Sequence, residues 1–393
     1  MSSRRFPEDL TPNALTRARE RRVAKGLPLL DLTTANPARA GLAWDDEVLA
    51  DLLRVTGIAN HRPEAAGLPE ARDAVVAHCA ETGLRVERDD VFLTASTSEA
   101  YAFLFKCLCE PGDEVLVPTP SYPLLSVLAQ LEGVELVSYP LRLDPEAGRW
   151  SLDLDALASR LSERSRIVLV VHPNNPTASC LSDQEARGLA RLCRERNLLL
   201  LSDEVFREFA WDGSVVPSLL DACREEEALG CVLGGLSKTA GLPQLKLSWV
   251  LSTGPEKELS RLRERLEWVA DAQLNLSTPV QLALPKLLPA SAEWRERCRE
   301  RIAKDLDILR SRVNAMPELQ LLPGEAGWHA ILEMSVDDEE LCTKLMVEHG
   351  LVLQPGRLFD FTSRSVVVVS TIVEPSTLAE GLDVVTDILR TNP

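Results

Sequence analysis

Ile167-Val168-Leu169-Val170-Val171-His172-Pro173-Asn174-Asn175-Pro176-Thr177 fixes how the rest of the chain is read. A continuous apolar run is a strand buried on both faces, and here it stops abruptly at a turn of asparagine and proline. The same design recurs downstream. Leu198-Leu199-Leu200-Leu201-Ser202 ends on Asp203, and Cys231-Val232-Leu233 runs through Gly234-Gly235-Leu236 into Ser237-Lys238-Thr239. An amide, a carboxylate and an amine thus stand in order, each at the end of a separate strand. A lysine at the end of a buried strand is poorly solvated, so it loses its proton readily and becomes a nucleophile able to form a Schiff base.

Working outward, short apolar runs fall at 91–95, 114–118, 134–139, 166–172, 198–203, 231–236 and 247–252. Amphipathic segments such as 99–109, 122–131 and 183–196 lie between most of them. The alternation predicts an α/β fold: a mostly parallel seven-stranded sheet wrapped by helices, with ligands bound beyond the carboxyl ends of the strands. After Pro279 the pattern changes to a long charged helix over 292–314, short strands near 319–322, 328–334, 351–354 and 366–372, and a closing helix at 378–390. These form a smaller α+β domain. The expected division is an arm over 1–45 (with a helix around 14–25) that joins the small domain, a large domain over 46–285 and the small domain over 286–393.

The chain has 393 residues, enough for two domains, and is 45% hydrophobic. Its net charge of −17 argues against a nucleic-acid surface, which needs clustered Lys and Arg. The nine cysteines lack zinc-like spacing, and reduced core thiols in a cytoplasmic protein are expected. No metal site is expected. No apolar stretch is long enough to span a membrane, and the first thirty residues lack an apolar signal core. Asp337-Asp338-Glu339-Glu340 reads as the acidic start of a helix.

With these residues in place, the chain resembles the class I/II aminotransferases among the fold-type I pyridoxal-phosphate enzymes, from Asn36-Pro37 to the last helix. The resemblance is carried by Pro173-Asn174-Asn175-Pro176-Thr177, Ser202-Asp203-Glu204-Val205-Phe206 and Ser237-Lys238 in that order. It implies a fold-type I architecture, pyridoxal 5′-phosphate as cofactor, an amino donor and a 2-oxo acid acceptor as substrates, and a homodimer with shared sites. Lys238 would hold the cofactor as an aldimine and then move the proton from the donor Cα. Asp203 would pair with the pyridine nitrogen, Asn175 would donate to the ring 3′-oxygen, and Tyr122 would stack on the ring. Ser96, Thr97 and Ser98 open a helix, where free amide hydrogens suit a phosphate; plain capping is the structural alternative for them. Ser237 and Lys246 are placed near the cofactor, Lys246 where the family usually has an arginine. His61 falls at the place of a tyrosine that reaches the neighbouring subunit's phosphate.

Other departures stand out. Gly235 occupies a position where many relatives carry a phosphate-binding hydroxyl, Phe206 replaces a tyrosine, and Ala178 replaces a glycine. Relatives bind the substrate carboxylate with an arginine in the strand before the last helix, but Val366-Val367-Val368-Val369-Ser370-Thr371-Ile372 contains none. Asn36 and Arg357 are assigned to the substrate, with Arg357 reaching in from the turn after Gln354-Pro355-Gly356. The missing arginine keeps a β-lyase or decarboxylase on the same scaffold as the alternative activity. A non-catalytic ligand-sensing domain of a transcriptional regulator ranks below both.

Overall fold

The computed structural model describes residues 3, 5–6, 11–144, 146–274 and 276–391. Most of the first ten residues of the expected arm lie outside that set. The chain opens with the helix Ala14–Ala24, capped by Asn13, and a two-residue strand, β1 (Leu30–Asp31).

A large sheet follows, built from β2 (Val91–Thr94), β3 (Glu114–Thr119), β4 (Glu135–Asp144), β5 (Arg149–Leu152), β6 (Ser165–Val171), β7 (Leu199–Asp203), β8 (Gly230–Gly235) and β9 (Ser248–Thr253). All seven expected strands form. The eighth, β5, extends the edge as an antiparallel hairpin partner of β4. The spatial order is β2-β9-β8-β7-β6-β3-β4-β5. The block from β8 to β4 is parallel throughout, whereas β9 runs against both of its neighbours, β2 and β8. Apolar side chains from β3, β6 and β7 are buried on both faces. Ile167, Leu169 and Leu201 pack with the helix Thr97–Leu108, and Val168, Val170 and Leu200 with the helix Asp183–Arg196.

The smaller sheet contains β10 (Leu319–Leu321), β11 (His329–Met334), β13 (Gln354–Pro355) and β14 (Val366–Ser370), in the order β10-β11-β14-β13. Between β11 and β13, β12 (Leu351–Val352) pairs in parallel with β1, so the start of the chain is hydrogen-bonded beside this sheet. The closing helix runs Pro375–Thr391.

The charged helix begins earlier than its pattern suggests. It spans Thr278–Asn314 without a break, although Pro285 and Pro289 lie inside it. Proline removes a helical hydrogen bond, so the sequence reads as a boundary there. Burial of Val280, Ala283, Leu284, Leu287 and Leu288 against β2, β9 and the helix Pro69–Glu81 offsets that cost. The boundary drawn at 285/286 therefore falls within one continuous helix.

Candidate active site

Every parallel strand of the large sheet delivers its last residues to one edge, and a single pocket opens there. Its wall includes Thr97 after β2, Tyr122 after β3, Val171 at the end of β6, Asn175 after it, and Asp203 at the end of β7. Gly235, Ser237 and Lys238 come from the end of β8. The opposite wall is formed by Thr33 and Ala35 just after β1, and by His329, Gln354 and Phe359 from the small domain. A backbone bond from Ser121 N–H to the Phe359 carbonyl (3.1 Å) ties the two walls together beside Tyr122.

Lys238 lies in the one-turn helix Leu236–Thr239 that follows β8. Its Nζ sits 4.6 Å from the centre of the Trp328 ring and 5.3 Å from that of Phe206. Burial pulls the amine's pKa down to about 8, and the carboxylate of Asp203 only partly restores it. The neighbouring imidazole of His329, edge-on to Phe206, is pushed down to about 3 by burial and by the charge of Lys238. It is a neutral hydrogen-bonding group at any ordinary pH.

Asp203 is raised above the usual carboxylate range by burial, with opposition from the Tyr101 hydroxyl, the Val205 amide and Lys238. Tyr101 Oη donates to its Oδ2 at 2.9 Å and Val205 N–H to its Oδ1 at 3.2 Å. Such a buried carboxylate, short of positive charge, is a seat for a cationic nitrogen. Asn175 presents a side-chain amide with its Oδ1 buried and unpartnered among the described residues. At the other end of the pocket, Ser96 caps the helix Thr97–Leu108 by accepting from Glu99 N–H (3.1 Å). Thr97, the first residue of that helix, and Ser237 line the same pocket.

Of the residues singled out from sequence, the pocket thus brings together Lys238, Asp203, Asn175, Tyr122, Thr97 and Ser237. Ser96 orders the helix terminus, and Ser98 lies in its first turn outside the pocket wall. Ala178 occupies a left-handed backbone position (φ 56°), which explains a glycine at that place in related chains; its carbonyl is held by the Glu325 and Ala326 amides.

Four residues stand elsewhere. Arg357 does not reach in. Its guanidinium is 61% exposed and pairs with Glu339 (2.5 Å) at the acidic start of the helix Asp338–Glu348, whose charge draws it outward. Gln354 and Phe359 from the same segment line the pocket instead. Asn36 is exposed and turns its side chain onto the Ala38 amide (3.1 Å), leaving Thr33 and Ala35 in the wall. Lys246 is exposed at a left-handed turn (φ 51°), outside the wall. His61 is exposed in a shallow hollow with Arg62, Ala270, Leu274 and Leu276. Arg364, further along the segment that carries Arg357, is bound to both oxygens of Glu333 (2.7 and 2.9 Å). Among the described residues, the pocket wall holds no arginine.

Sequence reasoning missed Tyr101, Trp328, His329, Gln354, Phe359, Thr33, Ala35 and Ser248. Tyr101 carried a readable signal: it follows Thr97 by one helical turn and so shares its face. The small-domain residues carried none.

The family model described as aminotransferase class I and II matches residues 41–384. The glutamate-pyruvate aminotransferase AlaA of Escherichia coli is 30% identical over 265 residues, covering 67% of this chain and 64% of the relative, so the match spans less than two thirds of that protein. An alanine aminotransferase of Mycobacterium bovis is 28% identical over 348 residues, covering 86% and 80%. In three dimensions, the alanine aminotransferase from Pyrococcus furiosus superposes over 100% of both chains with a TM-score of 0.88 at 22% identity, a likeness of fold.

Proposed function

This chain belongs to the class I and II aminotransferase family, and on that premise we propose that it moves an amino group from an amino donor to a 2-oxo acid. The observation that carries the reading is one pocket holding an amine of lowered pKa, a buried carboxylate and an unpartnered amide, all at strand ends of one sheet. Those groups fit pyridoxal 5′-phosphate. Asp203 suits its ring nitrogen, Asn175 its 3′-oxygen, the face of Tyr122 its ring, and the helix terminus at Thr97 its phosphate. When bound, this cofactor supplies the electron sink that stabilises negative charge at the donor Cα.

The protein's own residues do the rest. Lys238, with its lowered pKa, would hold the cofactor through a neutral Nζ and, once free, would take the proton from the donor Cα. Asp203 would keep a proton on the ring nitrogen, because a buried carboxylate favours a positive partner. Tyr101 and the Val205 amide hold that carboxylate in place. Thr33, His329 and Gln354 face the donor with neutral polar groups, in place of the arginine that Val366–Ile372 lacks.

A homodimer is part of the proposal. Trp268 and Leu274, at the end of the helix Glu256–Gln273, are 81% and 78% exposed, and Leu274 adjoins the hollow at His61. A cytoplasmic setting is consistent with nine free cysteines, seven of them buried. No described helix is long and apolar enough to cross a membrane.

Borohydride trapping of reconstituted protein followed by peptide mapping tests the cofactor anchor, and a label away from Lys238 rejects it. Mixing the loaded enzyme with an amino donor and no acceptor tests the reaction. Transamination releases one 2-oxo acid per site and stops. Continuous release of ammonia or carbon dioxide instead establishes the lyase or decarboxylase alternative.

A further inference from the structure

We infer that Ser248 is a phosphate-binding residue of this pocket, supplying from β9 the hydroxyl that Gly235 cannot supply from β8. The inference rests on the cofactor reading above and goes beyond it by assigning a residue on a different strand.

Topology brings Ser248 to the site. Because β9 runs against its neighbours, its first residue, and not its last, reaches the ligand-binding edge of the sheet. Ser248 pairs with Thr94 of β2 on one side and with Gly235 of β8 on the other. Thr94 leads through Ser96 into the helix terminus at Thr97, and Gly235 leads into Ser237 and Lys238. Ser248 therefore sits between the segments that carry Thr97 and Ser237, and it lines the same pocket itself.

Space at this point admits one side chain. A Cβ on Gly235 would lie 2.3 Å from Ser248 Oγ, 2.9 Å from its Cβ and 3.1 Å from its Cα. The hydroxyl of Ser248 fills the volume that a side chain at 235 would need, so the two positions are mutually exclusive. Ser248 is 2% exposed, and its hydroxyl has no hydrogen-bond partner among the described residues. Its unpaired hydroxyl opens onto the pocket, where a ligand oxygen can accept from it. The hydroxyls of Thr97 and Ser237 face the same pocket without a partner in the described chain. Three hydroxyls and a helix terminus suit the oxygens of a phosphate monoester. With Lys246 outside the wall, these neutral donors and the helix terminus make up the contact.

The test uses the full chain stripped of cofactor, with affinities for pyridoxal 5′-phosphate and for pyridoxal, which lacks the phosphate, measured in parallel. Ser248→Ala should weaken the phosphorylated aldehyde about tenfold, the loss of one hydrogen bond to a charged group. Its affinity for pyridoxal should stay within about twofold, because the contact is to phosphate alone. Inorganic phosphate should compete with pyridoxal 5′-phosphate in the parent protein and less well in Ser248→Ala. Gly235→Ser alone should lose affinity through crowding, and the exchange Gly235→Ser with Ser248→Gly should restore it, since one hydroxyl again occupies the shared space. Equal weakening of both aldehydes in Ser248→Ala, or no weakening of either, overturns the inference while Lys238 trapping in the parent keeps the cofactor reading intact. A parent protein that captures neither aldehyde removes both.

Discussion

Lys238 is pulled in opposite directions. Burial favours its neutral form, whereas Asp203 and the faces of Trp328 and Phe206 favour the ammonium. Burial wins, leaving the pKa at about 8, and this sets a pH dependence. Only the neutral amine attacks an aldehyde, so capture of pyridoxal should rise with pH and level off above about 8. A freely solvated lysine would continue to gain rate toward about 10.4. Asp203→Asn removes a group that raises the pKa, so the break should move to lower pH; stopped-flow absorbance reads both curves, and a break at the solvated value contradicts the burial argument. For Arg357 the expectation is negative. Its partner is Glu339 on the surface, so Arg357→Ala should leave KM for the amino donor within about twofold, the usual scale of a surface ion pair. Gln354→Ala, in the pocket wall, should raise that KM by several-fold, and steady-state kinetics on both variants separates the two. The contrast shows what was legible. Lys238, Asp203 and Asn175 could be read because each ends an apolar run. Arg357 could not, because its direction depends on a carboxylate from another element, and His329 lies within a strand whose local pattern says only that it is buried.

Between elements, a fully buried polar joint lies outside the pocket. Glu208 accepts from His78 of the helix Pro69–Glu81 (3.1 Å) and from Arg295 of the helix Thr278–Asn314 (3.1 Å), with all three side chains buried. Burial acts to raise the carboxyl's pKa, but the His78 contact and Arg295 outweigh it and hold it below the usual range. The sign follows directly: the stabilisation is present above the unfolded carboxylate pKa and is lost as pH falls through the depressed folded value. Glu208→Gln leaves Arg295 buried without its counter-charge and should cost about 3–5 kcal/mol. Urea unfolding should show a lower midpoint at unchanged slope, and an unchanged midpoint would remove this joint from the stability account. Most elements were readable from periodicity. The front half of the helix Thr278–Asn314 was hidden by Pro285 and Pro289, whose local cost is offset only by tertiary packing. The strand β5 was hidden because edge pairing with β4 supplies its order.

For the molecule as a whole, two exposed apolar side chains on one helix end set the expected assembly. Trp268→Glu together with Leu274→Glu should shift sedimentation from dimer toward monomer without unfolding, and a parent protein that sediments as a monomer refutes the dimer. The arrangement of sheet and small domain was legible as an alternation of patterns, but the union of their cores was not. The helix Thr278–Asn314 buries Leu284, Leu287 and Leu288 in the core beneath β9, and Trp294, Cys298, Ile302 and Leu306 in the core of the small domain. Melting either core would strip the apolar stripe from the other half of the same rod. The two lobes therefore share one cooperative unit, although chains of this size commonly unfold in stages. Differential scanning calorimetry of the apo chain should give a single endotherm with van't Hoff and calorimetric enthalpies in agreement. Two resolved peaks would mean that the rod breaks at its prolines before either core gives way.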